Sequence, residues 1–145
     1  PVADRVALIR QFRLPALAAG LHPVMTECAA GLLEAGEDPE AAGRRELAEE
    51  TGLVAGPMER IGRYMLMQGG CDEVMFYFAA RVALPALGAV RTHGLAHEGE
   101  DTRVIVLPAG EAFALLDANA IENVTAAVCL YWLRQHRERL RRAWA

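Results

Sequence analysis

The chain has 145 residues, a formal net charge of −4 and 53% hydrophobic residues. That length accommodates one domain with a single substantial core, and the apolar content excludes a disordered chain. All fifteen basic residues are arginine, which excludes chemistry built on lysine, such as a Schiff base or a phosphate-loop lysine, while the guanidinium fork still suits phosphate.

Residues 5–14 (RVALIRQFRL) mix β-branched and apolar side chains with arginines and read as a strand. Residues 17–23, with Gly20 and Pro23, read as a loop, and residues 24–30 as a short strand leading into Gly31. A helix follows between well-marked ends. Asp38 is a good N-cap, Pro39 stands where the first helical position tolerates proline, and Gly52 suits the position just past the C-terminus. Residues 58–67 and 73–84 read as two strands of a hairpin turning at Gly69-Gly70, the second apolar enough for a central place in its sheet. Residues 88–101 read as loop, 102–107 as a strand with alternate apolar residues, and 108–117 as a short helix.

The last segment, 121–144, spaces Val124, Val128, Tyr131, Trp132 and Leu140 near the helical period. Five arginines from Arg134 to Arg142 fill its second half. They suit either a patch for nucleic acid or anionic lipid, or a terminal helix whose cations sit near its negative dipole end. The second reading is preferred.

The longest stretch without an acid or arginine, residues 14–26, is thirteen residues with two prolines, too short to span a membrane. The start does not resemble a signal peptide, and Pro1 is no initiator, so loss of upstream residues is expected. Cys28, Cys71 and Cys129 are odd in number and lack any CxxC, which predicts reduced packing residues in a cytoplasmic protein. The four histidines show no metal-ligand spacing, and the negative net charge argues against a nucleic-acid partner.

Chemistry concentrates on the first long helix. Glu46, Glu49 and Glu50 fall within an arc of roughly 100°. Unrelieved like charges at that spacing destabilise a helix by ~0.2–0.5 kcal/mol per pair. Such faces are usually solvated, but a hard divalent cation over them reverses the sign. Arg45 is placed to pair with Glu49 one turn on.

The spacing is the stronger signal. Gly31, five residues, Glu37, seven residues, Arg45-Glu46-Leu47, one residue, Glu49-Glu50, one residue and Gly52-Leu53 resembles the Nudix hydrolase box at each of its nine specified positions. The resemblance implies a Mg²⁺-binding strand-loop-helix-loop unit and an α/β fold, the Nudix-type α/β/α sandwich with a mixed β-sheet, over a single domain of residues 1–145. Outside the box, Gln11-Phe12-Arg13, Glu27, Ala30, residues 69–73 (GGCDE), residues 94–101 (GLAHEGED) and the ending with Trp132 and Trp144 are similar to the ADP-ribose pyrophosphatases of that family. Those enzymes hydrolyse ADP-ribose to AMP and ribose 5-phosphate.

By this resemblance the metal ligands are Glu46, Glu50, Glu100 and the backbone carbonyl of Ala30, holding Mg²⁺ or, as a substitute, Mn²⁺. Glu98 is the implied general base, and Glu49 with Arg45 has an orienting role. Arg13, Glu27, Glu73 and Gly70 are the implied substrate contacts. For Arg13 a surface ion pair, and for Glu27 pairing with an arginine, stand as alternatives. Glu37 is expected in an ion pair within the box, and Asp101 as a capping residue. The implied partner is a nucleotide sugar, and the implied assembly a homodimer without nucleic acid or membrane.

Two departures bear on this. Gln68 stands where the subfamily commonly has a proline, whose fixed φ shapes a substrate loop. The small N-terminal region that relatives exchange between subunits is absent from this sequence. A hydrolase of another nucleoside diphosphate sugar, such as GDP-mannose, is the nearest alternative. A Nudix module that binds a nucleotide without cleaving it is the alternative from another class, and retention of Glu46, Glu49 and Glu50 argues against it.

Overall fold

In a computed structural model, residues 4–84, 91–93 and 102–145 are described. The elements in chain order are β1 (Arg5–Phe12), α1 (Leu14–Ala18), β2 (Val24–Glu27), α2 (Pro39–Thr51), β3 (Ala55–Met65), β4 (Val74–Val82), β5 (Arg91–His93), β6 (Thr102–Pro108), α3 (Ala109–Asp117) and α4 (Val124–Ala143). Strands β2-β1-β6-β5 form one sheet and β3-β4 a second. Each of these ladders is antiparallel. The parallel pairing that a mixed sheet contains is not among the described residues.

Period-two alternation along β1 and β6 builds the layers. Leu8 belongs to a core with Phe113, Leu116, Ile121, Ala126 and Leu130, so one face of the four-stranded sheet packs on α3 and α4. Ile9 and Val104 are Cα partners on the other face, each 1% exposed, and α2 lies against β5 and β6. Burying a side chain of that size contributes ~1.5–3 kcal/mol, enough to fix the register, since a one-residue slip would turn the whole row to the wrong layer. The α/β/α layering follows.

Three expectations are corrected. Residues 14–18 form a helical turn with Pro15 at its start, a position that needs no N–H, instead of belonging wholly to an extended or loop segment. Residues 91–93 form a short strand within the stretch read as loop, because β6 offers them its free edge. Among the described residues the apolar β4 is not central: it pairs only with β3, and its side chains are half-buried apart from buried Tyr77 and exposed Arg81, with α4 and α2 as neighbours. Apolar composition reports burial on the faces, not the number of neighbours at the edges.

Four of the five arginines in the second half of α4 hold carboxylates. Arg134 pairs with Asp117 at 2.7 Å, Arg137 with Asp4, Arg139 with Glu59 and Arg141 with Glu138. Asp117, Asp4 and Glu59 tie the helix to α3, the start of β1 and β3, while Glu138 belongs to α4 itself and gives Arg142 only its backbone carbonyl. The three cysteines are free thiols. Among the described residues no helix is long and apolar enough to cross a membrane.

Candidate active site

Helix α2 is aimed by its ends. The Asp38 carboxylate accepts from the N–H groups of Glu40 and Ala41, both at 3.0 Å, satisfying two donors that the first turn leaves unpaired. Gly52 closes the other end at φ 65°, donating to Ala48 O at 2.9 Å. That left-handed position suits glycine. Between these limits Glu46 and Glu50 stand one turn apart.

Both reach the same piece of backbone. The Ala30 N–H donates to Glu50 Oε2 at 2.8 Å, and Glu50 is 3% exposed. The Glu46 carboxylate lies directly over Gly31, where a Cβ would meet it at 2.0 Å. The residue before α2 that carries no side chain is therefore the one against which a ligand candidate packs. Two carboxylates and the 30–31 backbone are thus brought together across a sequence gap of 15 to 20 residues.

Arg45 organises the acids from behind. Its Nε and one terminal nitrogen grip both oxygens of Glu37 at 3.0 Å each, and the other terminal nitrogen reaches Glu46 at 2.7 Å and Glu49 at 3.1 Å. It also donates to Leu32 O at 3.0 Å. Hydrogen bonding to Glu37, then to Glu46, holds the guanidinium pKa above its ordinary value. The same bond, together with the Glu34 N–H, pulls Glu37 below the usual carboxylate range. Glu37 is thus the ion-pair partner expected from the sequence, and Arg45 joins three carboxylates where i+4 spacing pointed to one.

Arg13 and Glu27 are joined by a two-bond fork, Nε to Oε1 at 3.0 Å and a terminal nitrogen to Oε2 at 2.8 Å. Glu27 is 6% exposed, whereas Arg13 is partly open to solvent. For both residues the structure shows the ion-pairing alternative. Glu27 is the Cα partner of Ile9, so it lies on the α2 side of the sheet with the acidic cluster.

A cleft of about 580 Å³ takes in Ala30, Gly31, Glu46, Glu73 and Phe76, and its lining continues along β1, β4 and α4 as far as Trp144. Glu73 enters it from the β3–β4 turn, which is closed by Cys71 N–H to Met67 O at 3.0 Å and Leu66 N–H to Glu73 O at 3.2 Å. Gly70 sits in that turn, exposed, its N–H on Met67 O at 3.2 Å. It is not brought to the cleft wall. Glu98 and Glu100 lie outside the described residues.

Glu46, Glu50 and the Ala30 peptide suit a hard cation: they are oxygen donors, held by Gly31 and Arg45, with one carboxylate almost fully buried. No group of three acids, histidines or cysteines closes on one point among the described residues. Sequence reasoning missed two buried polar atoms beside this layer, Gln11 Oε1 and Thr102 Oγ1, neither with a hydrogen-bond partner among the described residues. The signal for Gln11 was present, since it takes the inward phase of β1 two residues after Ile9.

A family model described as NUDIX domain matches residues 3–127. The chain is 34% identical over 145 residues to the ADP-ribose pyrophosphatase of Escherichia coli strain K12, covering all of this chain and 68% of that protein. It is 32% identical over 131 residues to the GDP-mannose pyrophosphatase of Klebsiella pneumoniae, covering 89% of this chain and 64% of the relative. Among solved structures, an ADP compounds hydrolase superposes with a TM-score of 0.70 at 21% identity, covering 93% of this chain and 67% of that one. At that identity the superposition shows the fold alone.

Proposed function

The chain belongs to the NUDIX-domain family, and from that premise we propose that it hydrolyses ADP-ribose to AMP and ribose 5-phosphate with Mg²⁺. The observation that carries this is the convergence of Glu46 and Glu50 on the 30–31 backbone, with Arg45 holding the acids in place. The names of the pyrophosphatase relatives support the substrate class.

Two phosphates in ester and anhydride linkage repel an attacking oxygen, so the site has to neutralise charge and supply an activated water. A bound Mg²⁺ would supply both charge neutralisation and a more acidic water. Ala30, Glu46, Glu50 and Glu100 would hold it, and Mn²⁺ would substitute. Glu98 would take the proton of the attacking water as general base. Glu49 and Arg45 would orient the ligand carboxylates, a task in which outer partners commonly matter about 10–100-fold in metal affinity. Arg13, placed by Glu27, would donate to the diphosphate, and Glu73 would approach the ribose side from the β3–β4 turn, whereas a contact from Gly70 would need that turn to move toward the cleft.

The same reading makes the chain a single domain, cytoplasmic and homodimeric, with no nucleic-acid partner. Cleavage of a substrate panel with Mg²⁺, followed by chromatography of the products, tests it. AMP from ADP-ribose at the highest kcat/KM is the expected result. A higher kcat/KM on GDP-mannose, releasing GMP, favours the second reading, for which Gln68 in the β3–β4 turn and the Klebsiella relative speak. Binding of ADP-ribose in Mg²⁺ with no product would overturn both.

A further inference from the structure

Arg10 and Arg103 are Cα partners in the β1–β6 ladder, and both are exposed. Leu8, two residues before Arg10, belongs to the core against α3 and α4, and Ile105, two residues after Arg103, packs on it. Alternation therefore sets the two guanidinium side chains on that face, beyond the helices and opposite the face that carries Glu27. Thr26 is the next Cα partner of Arg10 across β2.

Among the described residues, seven arginines of this chain are matched by acids, while Arg60 and Arg63 lie over the Phe76 ring and Arg142 donates to a backbone carbonyl. Arg13, Arg44, Arg45, Arg134, Arg137, Arg139 and Arg141 each hold a carboxylate. Among the described residues no acid is within ion-pairing reach of Arg10 or Arg103, although acids outnumber arginines 19 to 15 in the sequence. Like charges directly opposite in a ladder are unfavourable. Two register positions further, Phe12 and Val24 are Cα partners on the same face, 56% and 43% exposed. A cationic pair beside an exposed aromatic ring matches a ligand with a phosphate at one end and a flat base at the other.

We infer that Arg10 and Arg103 form a second anion site, outside the catalytic cleft, that takes the phosphate of a nucleoside phosphate with its base against Phe12. The two forks can each give parallel hydrogen bonds to phosphate oxygens, which turns their mutual repulsion into shared attraction. Base-on-aromatic contact is tolerant of base identity because every base has a π-face. The site needs no metal and works independently of the catalytic reading.

The test is equilibrium dialysis of AMP and of inorganic pyrophosphate at low ionic strength in EDTA, which suppresses metal-dependent binding in the cleft. Wild-type protein, the Arg10→Gln/Arg103→Gln double variant and Phe12→Ala are compared. Wild type is expected to bind both probes at least about tenfold more tightly than the double variant. Phe12→Ala is expected to weaken AMP and leave pyrophosphate unchanged. Melting of the double variant at or above the wild-type temperature, with hydrolysis unchanged, shows that its fold is intact. Superposed wild-type and double-variant isotherms would overturn the site, and an unchanged AMP affinity in Phe12→Ala would overturn the base contact.

Discussion

Gly31→Ala isolates the geometry of the carboxylates from the stability of the fold. The new Cβ would lie 2.0 Å from the Glu46 carboxyl carbon and Oε1 and 2.2 Å from Oε2. Ordinary carbon contacts need roughly 3.5 Å, so the carboxylate must retreat by about 1.5 Å. The end of a glutamate can do so cheaply, and Gly31 is not among the glycines held at positive φ. Alanine at a compatible backbone position raises stability by about 0.4–1 kcal/mol through the unfolded chain. The melting temperature is therefore expected to hold or rise slightly. Catalysis is another matter, since Mg²⁺ tolerates little departure from near-ideal ligand positions. A misplacement of about 1 Å commonly costs on the order of 10²-fold in rate, or ~2.7 kcal/mol of transition-state stabilisation. Initial-rate measurement of AMP release, with Mg²⁺ affinity by calorimetry, reads both parts. A variant with kcat/KM near wild type and unchanged Mg²⁺ affinity would refute the placement of Glu46 at the metal.

Other perturbations separate the remaining roles. Glu50→Gln removes one charge from a nearly fully buried position and is expected to weaken Mg²⁺ binding, with turnover partly restored as Mg²⁺ is raised; a loss that no Mg²⁺ concentration relieves would count against a ligand role. Glu98→Gln is expected to lower kcat by ~10²–10⁴-fold, the usual worth of a general base, with Mg²⁺ affinity near normal. Full kcat in that variant would place the base elsewhere. Asp4, hydrogen-bonded to Arg137, is held below its ordinary pKa of 3.8. Its contribution to stability is thus complete above that value and is lost as pH falls through the lower folded value. Asp4→Asn should melt below wild type at neutral pH, and the gap should close in acid; a gap independent of pH in thermal melts would contradict the ion pair.

The helix that carries the acids was legible from residues because its causes are local: Asp38 caps it, Pro39 opens it, Gly52 ends it, and Glu46 and Glu50 fall one turn apart by the helical period. An ion pair of Glu37 within the box was expected through a family resemblance, but that its partner is Arg45, eight residues on, came only from the structure. Strand β4 shows the limit of composition. Its apolar side chains are half-buried apart from Tyr77, and composition could not say whether helices or strands would flank them.

The sequence by itself determined the helix, its acidic face and the alternation of β6, since these depend on neighbours within a few residues. Tertiary structure alone decided that Gly31 lies beneath Glu46, that Ala30 donates to Glu50, that β5 joins β6, and that Arg10 stands opposite Arg103. Each of those contacts joins segments distant in the chain, and their meeting is fixed by which register buries Ile9 and Val104.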